Sequence, residues 1–301
     1  MSGVEPRRIA VVGGGITGVS VALFLQSDGH TVILFEPDEF GIGTSMGNAG
    51  VISLASCIPT AMPGIPARVP KMLLDPYGPL SIRWGYLPTL TPWLIAFLRN
   101  CTKDRARRNS LAKAALLDRA HAAYETLIAM ADAEALVSRR GMMKVYETEA
   151  DFEAARFEVE LLQLTGRRYD VVTGDEIRQL EPGLAPIFSK GLFFDDNSGI
   201  VNPGRLVARF AETFLAKGGT VVAERVTNFH SSRPNTVITD AGTYKADTIV
   251  LAAGSWTARL ASQLGARLML DAERGYHVML PHPETPLNRP IALTKHSVFL
   301  S

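Results

Sequence analysis

The sequence predicts an α/β fold in which a parallel sheet is interrupted by an inserted α+β segment. Residues 9–12 form an apolar run that ends in a glycine turn, and a second apolar run at residues 31–35 ends at Glu36. A third run at residues 248–252 leads into another glycine turn. Short apolar runs bounded by glycine turns are typical of strands that are buried on both faces of a parallel sheet.

The composition is that of a globular protein without a nucleic-acid partner. The chain has 301 residues, of which 47% are hydrophobic and 20% charged, and its formal net charge is +1. A charge near zero gives no electrostatic basis for binding nucleic acid. Cys57 and Cys101 are too few for a disulfide framework, and no Cys/His spacing is typical of a metal site. We therefore expect no metal and a reducing, cytoplasmic location.

The glycine turn after the first strand has the spacing of a dinucleotide site. Gly13 allows the tight turn, Gly15 lets the backbone approach a diphosphate, and Gly18 lets the following helix pack closely. The N-terminus of that helix favours negative charge. Glu36 lies about 20 residues further on, where its carboxylate can accept a hydrogen bond from a ribose hydroxyl and would repel a 2′-phosphate. The alternative is a structural glycine turn in an unrelated α/β protein.

Changes in pattern along the chain predict a discontinuous domain. We expect a Rossmann-like cofactor domain in two parts, residues 1–60 and 191–265, with an inserted substrate (cap) domain at residues 61–190. Residues 266–301 then return to the substrate domain as strands. A small-residue turn at residues 43–50, followed by a long departure from the domain, favours FAD over NAD.

Local signals predict the elements of these segments. Helical periodicity predicts helices from Ser110 to about Ala133 and from Glu149 to Leu164. Asn202 and the proline after it predict a capped helix that runs to Leu215. The proline-rich stretch at residues 59–92 predicts little regular structure.

Several motifs together resemble a known family. The chain resembles the FAD-dependent amino-acid oxidoreductases of the D-amino-acid oxidase and glycine oxidase superfamily, and it looks closest to bacterial D-amino-acid dehydrogenases of the small-subunit type. The motifs are Val11–Gly18, Phe35–Glu36, Gly43–Gly50, Asp196–Pro203, Leu251–Trp256 and Arg274–His277. The superfamily's members are longer, so we expect this chain to be truncated before a final strand–glycine–helix segment.

The resemblance implies a set of cofactor-binding residues. They fall into a diphosphate group, a ribose group, a flavin-ring group and an adenine contact. The set is Gly13, Gly15, Ile16, Thr17, Gly18, Glu36, Thr44, Ser45, Asn48, Ala49, Gly50, Val51, Val226, Ala253 and Gly254. For Thr44, Ser45 and Asn48 the alternative is a role as plain turn formers, and for Val226 it is a place in the core.

The resemblance also implies an activity. A D-amino acid similar to D-alanine would lose a hydride from its α-carbon to flavin N5, and the resulting imine would hydrolyse to a 2-oxo acid and ammonia. A quinone or another acceptor would then take the electrons. Two alternatives stay open: an FAD-binding fragment without activity, or a related enzyme that acts on glycine, sarcosine or an L-amino acid.

Candidate catalytic residues lie near the end of the chain. A substrate carboxylate calls for an arginine assisted by a tyrosine or a histidine, and Arg274, Tyr276 and His277 form the best cluster of this kind. Strand alternation would place Arg274 and Tyr276 on one face and His277 on the other. The alternative is a surface arginine beside a core aromatic residue.

One apolar segment raises the question of a membrane. Residues 84–98 lie between Arg83 and Arg99, contain Pro88 and Pro92, and are too few to span a bilayer. They are expected either to form a partly buried loop and helix or to make peripheral contact with the inner face of the plasma membrane.

Overall fold

The computed structural model describes residues 5–74, 84–230, 233–270, 272, 275–281 and 283–301. The strands are β1 Arg8–Val12, β2 Thr31–Phe35, β3 Val51–Ile52, β4 Val137–Ser138, β5 Met142–Tyr146, β6 Asp170–Thr173, β7 Lys190–Phe194, β8 Ser198–Ile200, β9 Thr220–Val222, β10 Val226–His230, β11 Arg233–Thr239, β12 Thr243–Lys245, β13 Thr248–Leu251, β14 Ile291–Leu293 and β15 Val298–Leu300. The α-helices are α1 Ile16–Ser27, α2 Ile65–Leu74, α3 Leu87–Asn100, α4 Lys103–Ala131, α5 Glu149–Ala154, α6 Arg156–Leu164, α7 Gly174–Leu180, α8 Pro203–Ala216 and α9 Thr257–Gln263.

A parallel sheet forms the centre of the cofactor domain, which confirms the predicted α/β fold. Its order is β13-β1-β2-β9, and every neighbouring pair is parallel. In β1 and β2 only the first residue is exposed, because helices and a second sheet cover the two faces. Such burial of a valine, leucine or phenylalanine side chain contributes about 1.5–3 kcal/mol.

The two faces of this sheet follow the alternation of side chains along a strand. Ile9 and Val11 of β1 pack with α1, α4 and α8 in one buried cluster. Ala10 and Val12 point the other way and pack with Phe229 of β10 and with residues of β11 and α9. In the antiparallel sheet β10-β11-β12, strands β11 and β12 form a hairpin.

A separate mixed sheet has the order β15-β14-β5-β7-β6. Strand β14 is parallel to β5, and the other pairs are antiparallel. Residues 191–194 were expected in the cofactor domain, whereas β7 pairs with β5 and β6 from the inserted segment. Strand partners depend on contacts between distant residues, so the local pattern does not reveal them. The domain boundaries themselves stay a prediction.

Several helices differ from their predicted bounds. Helix α4 begins at Lys103, where the Thr102 hydroxyl accepts a hydrogen bond from the Arg105 amide at 3.4 Å. The predicted helix at residues 149–164 is divided at Ala155, whose ψ is 4°. Residues 59–92 contain α2 and the start of α3, so the expectation of little regular structure is wrong. Pro88 lies in the first turn of α3, where a missing N–H disturbs no hydrogen bond.

The strands predicted from residue 266 onward form only in part. Strands β14 and β15 are present, but the described residues of the ranges 266–270 and 275–280 lie in no strand. Strand β14 occupies the edge of β5, with the Met143 amide donating to the Pro290 carbonyl at 3.0 Å. The alternating pattern at residues 275–280 therefore lacks a sheet partner among the described residues.

Candidate cofactor site

The glycine turn at the end of β1 is closely packed. Gly13 has a φ of +105°, and a Cβ there would lie 2.6 Å from the carbonyl oxygen of Ala252. A Cβ on Gly18 would lie 1.8 Å from the Gly13 carbonyl oxygen. The Gly13 amide donates to the Phe35 carbonyl at 2.9 Å, which ties the turn to the end of β2. These contacts confirm the tight turn and the close helix packing that the spacing predicts.

The N-terminus of α1 is suited to an anion. Gly15 is the N-cap without a side-chain cap, and the first turn contains no acidic residue. The Ile16 amide donates to the Ser45 hydroxyl at 3.1 Å, and a Cβ on Gly15 would meet only that hydroxyl oxygen, at 3.5 Å. Glycine therefore leaves the backbone open to a diphosphate at the positive end of the helix dipole. Thr17, in the first turn, is exposed.

Glu36 at the tip of β2 contacts the same turn. Its Oε2 accepts a hydrogen bond from the Gly14 amide at 2.6 Å, and its Oε1 accepts one from the Asp38 amide at 3.2 Å. A carboxylate has about four lone-pair sites, so both oxygens can still accept hydrogen bonds from ribose hydroxyls. A Cβ on Gly14 would lie 2.7 Å from the Glu36 Cγ. Gly14 has no role in the predicted motif, and this contact with Glu36 gives it one.

Two further predicted segments lie near this turn. The Ala252 amide donates to the Val12 carbonyl at 2.8 Å, which places Ala253 and Gly254 beside the glycine turn. Val226 opens β10, and its neighbour Arg225 approaches Asp38 at 3.8 Å, just beyond Glu36. Val226 also packs against the buried cluster on this side of the sheet. An adenine contact through its backbone stays a prediction.

The small-residue loop at residues 43–50 lies against α1 and β8. The Asn48 amide nitrogen donates to the Ser45 carbonyl at 2.7 Å, and its Oδ1 accepts from the Gly50 amide at 2.8 Å, so Asn48 does form the turn. The Gly50 carbonyl accepts a hydrogen bond from the Ile200 amide at 2.5 Å. This bond holds the loop, and Val51 after it, against β8. Thr44 is exposed and Ala49 half-buried.

Asn197 has a structural role that the sequence pattern does not predict. Its side chain is fully buried, its Oδ1 accepts from the Leu54 amide at 3.1 Å, and its Nδ2 donates to the Ser53 hydroxyl at 3.0 Å. Asn197 therefore fixes the segment that follows β3. The sequence feature that could have indicated this role is the run of polar residues between the apolar strands β7 and β8.

A small cavity lies between the α1 N-terminus, the loop at residues 43–50, α4 and α8. Its volume is about 70 Å³, so it has room for about two water molecules. Ile16, Ser45, Asn48, Gly50, Pro203 and Tyr124 contribute to its lining. It can take a few atoms of a ligand but no ring system.

The structure describes two of the three residues of the predicted catalytic cluster. Arg274 lies outside the described residues. Tyr276 is 92% exposed, and residues 275–280 form no strand, so Tyr276 and His277 do not lie on the strand that was expected here. His277 is exposed, but a Cβ on Gly47 would lie 2.7 Å from its Cε1. His277 is therefore in contact with the loop that the resemblance assigns to the flavin ring.

The described residues also bear on metal binding and on membrane insertion. Within the described ranges, no group of three or more His, Cys, Asp and Glu side chains is arranged to hold a metal ion. Among the described helices, none is long and apolar enough to cross a membrane.

The arrangement around the first glycine turn fits an adenine dinucleotide such as FAD. Gly13, Gly15 and Gly18 form a cradle that side chains would fill, and the first turn of α1 contains no acidic residue. Glu36 offers acceptors to a ribose at the tip of the neighbouring strand. We expect the diphosphate near Ile16 and Ser45.

Comparison with known proteins gives the same assignment. The model of the DAO family, described as FAD dependent oxidoreductase, matches residues 8–300. The chain is 37% identical to a D-amino-acid oxidase of Bradyrhizobium diazoefficiens over 93% of its own length and 68% of the relative. It is 29% identical to a D-amino acid dehydrogenase of Vibrio vulnificus over 91% of its own length and 67% of the relative.

Solved structures support the fold. Glycine oxidase from Geobacillus kaustophilus is similar with a TM-score of 0.58 and 21% identity, over 87% of this chain and 59% of that one. L-amino acid deaminase from Proteus vulgaris reaches a TM-score of 0.59 with 17% identity, over 88% of this chain and 51% of that one. The chain thus spans about two thirds of these curated relatives and less of the solved neighbours. From the family match and the 37% identical relative, the chain belongs to the family of FAD-dependent oxidoreductases.

Proposed function

We propose that this protein oxidatively deaminates D-amino acids to 2-oxo acids and ammonia. The proposed substrates have a small side chain, as D-alanine does. The observation that carries the proposal is the cradle for an adenine dinucleotide at Gly13–Gly18, Ser45 and Glu36. The names of the relatives, D-amino-acid oxidase and D-amino acid dehydrogenase, indicate the substrate class. Both names refer to an amino acid as the substrate.

The chemistry leaves a limited task to the protein. When bound, FAD supplies an acceptor for the hydride that leaves the α-carbon of the substrate. The amine loses a proton as the C=N bond forms, and water then hydrolyses the imine to the 2-oxo acid and ammonia. The protein has to hold the α-carbon in position and bind the carboxylate. A neutral amine needs no strong protein base for this step.

Arg274, Tyr276 and His277 remain the proposed carboxylate-binding residues. Among the described residues of this set, His277 has the strongest support, because its ring packs against Gly47 beside the Asn48 turn. An imidazole at this place can donate a hydrogen bond to a substrate carboxylate. We expect H277A to raise KM for the amino acid with little change in FAD affinity, because His277 would contact substrate rather than the dinucleotide.

The decisive experiment is anaerobic bleaching of the flavin colour. The purified protein is loaded with FAD, mixed in separate samples with D-alanine, L-alanine, sarcosine and glycine, and then assayed for ammonia. The proposal expects bleaching and ammonia with D-alanine alone. Bleaching by one of the other substrates would instead identify a related flavoenzyme. Bound FAD that no amino acid bleaches would identify a cofactor-binding chain without this activity.

The electron acceptor is proposed from the resemblance to D-amino acid dehydrogenases. After each turnover the reduced cofactor has to pass on two electrons, and we propose a quinone or a similar acceptor. Stopped-flow mixing of the reduced protein with a soluble quinone or with oxygen compares the two. Faster reoxidation by oxygen would contradict this choice.

Exposed aromatic residues favour a contact with a membrane surface as a second proposal. In α3 no residue is buried, Trp93 is 53% exposed, and its ring stacks on Phe97 at 5.1 Å. Such rings beside a cationic Arg99 suit an interface of lipid headgroups. We expect binding to vesicles of phosphatidylethanolamine and phosphatidylglycerol that W93S weakens. The matched control is W256S, since Trp256 is exposed elsewhere; equal binding of W93S and the wild type would refute the contact.

A further inference from the structure

The cavity beside the α1 N-terminus has three polar side chains in its lining. Ser45 and Asn48 come from the small-residue loop, and Tyr124 comes from α4. The remaining lining is apolar side chains and backbone, including Gly50 and Pro203. The cavity thus lies where the diphosphate end of the site meets the loop assigned to the flavin ring.

Two of these side chains already have hydrogen-bond partners. The Ser45 hydroxyl accepts a hydrogen bond from the Ile16 amide at 3.1 Å. Asn48 uses its amide group within its own turn, on the Ser45 carbonyl and the Gly50 amide. For the Tyr124 phenol, by contrast, the described part of the chain provides no hydrogen-bond partner.

The environment of Tyr124 is that of a core aromatic residue, apart from the phenol. Its ring packs against the apolar cluster that contains Leu127 and Ile128 of the same helix. Burial raises the pKa of Tyr124, so the hydroxyl stays protonated and can donate a hydrogen bond at neutral pH. The hydroxyl is not enclosed by protein atoms, and it opens into the cavity, where a ligand can reach it. Packing alone would be served as well by phenylalanine.

We infer that Tyr124 is a cofactor-binding residue, whose phenol donates a hydrogen bond to the flavin half of bound FAD, at the few atoms outside the ring system that the cavity can take. The position of the cavity favours this half, because its lining runs from Ile16 and Ser45 to Gly50 and Val51 and includes no residue of the Glu36 region. The inference rests on the FAD dependence of the family and not on the choice of amino acid.

The test compares Y124F with the wild type in binding two probes, FAD and ADP, by calorimetry. One net hydrogen bond corresponds to a rise of about two- to tenfold in the Kd for FAD. The Kd for ADP should stay unchanged, because ADP lacks the flavin half. The matched control is Y86F, since Tyr86 is 53% exposed and lies outside the cavity lining.

Thermal stability without cofactor separates this role from a structural one. The phenol has no partner in the described chain, so Y124F without FAD should melt at the wild-type temperature or slightly above it. The increase in Tm caused by FAD should be smaller in Y124F. A lower Tm without FAD, an unchanged Kd for FAD, or an equal loss of ADP binding would each overturn the inference. A wild-type chain that binds no FAD would overturn the proposed function as well, whereas failure to oxidise D-alanine would leave this inference intact.

Discussion

The contact between Gly18 and the glycine turn allows a quantitative prediction for G18A. An alanine Cβ would lie 1.8 Å from the Gly13 carbonyl oxygen and 2.9 Å from its carbonyl carbon. These are backbone atoms that cannot rotate away, so α1 has to recede by about 1 Å or more. Overpacking costs about 1–3 kcal/mol, and a backbone obstacle places this case at the upper end. Alanine returns about 1 kcal/mol through helix propensity, which leaves a net loss of about 2 kcal/mol.

The assay measures the free energy of unfolding in urea and the affinity for FAD. A retreat of α1 moves the amides that face the diphosphate, so we expect the Kd for FAD to rise about tenfold or more. The control is G85A, because a Cβ on Gly85 meets nothing within 4 Å; its stability should change by about 0.5 kcal/mol at most. If G18A has wild-type stability and wild-type FAD affinity, the close packing of α1 on the turn is refuted.

Three further predictions concern buried or charged groups. R289A should lose about 3–5 kcal/mol of unfolding free energy, because the fully buried carboxylate of Glu181 then lacks its ion-pair partner at 2.9 Å. Urea unfolding measures this loss, and a loss below about 1 kcal/mol would contradict the prediction. Hydrogen bonds from Lys295, which has the larger effect, and from His296 lower the pKa of Glu147. The stabilising contribution of Glu147 is therefore present above about pH 4.3 and disappears as the pH falls through the lowered pKa. The variant E147Q should be less stable than the wild type at neutral pH and equally stable in acid, and a difference that stays constant with pH would argue against these hydrogen bonds. N197A should cost about 1–3 kcal/mol by removing the partner of a backbone amide and a hydroxyl after β3; wild-type stability of N197A in thermal melting would show that these bonds contribute nothing.

The sequence by itself determined those features of the fold that depend on residues within one or two adjacent helices or strands. The glycine turn, the helix after it and Glu36 follow from spacing along the chain, because backbone conformation and strand-end geometry are short-range properties. The helix capped by Asn202 follows for the same reason, with its amide partner three residues away at Arg205. The family resemblance extended this prediction to the cofactor and to the residues around it.

Tertiary structure alone decided which distant segments meet. Three contacts join residues that are far apart in the chain. They are the pairing of β7 with β5, the contact of His277 with Gly47, and the hydrogen bond of Asn197 to the segment after β3. The same holds for Tyr124, which belongs to a helical stripe in the sequence but lines a cavity beside Ser45 in the fold. The spacing of apolar residues predicts which face of a helix or strand is buried. Which element packs against that face depends on the fold of the whole chain.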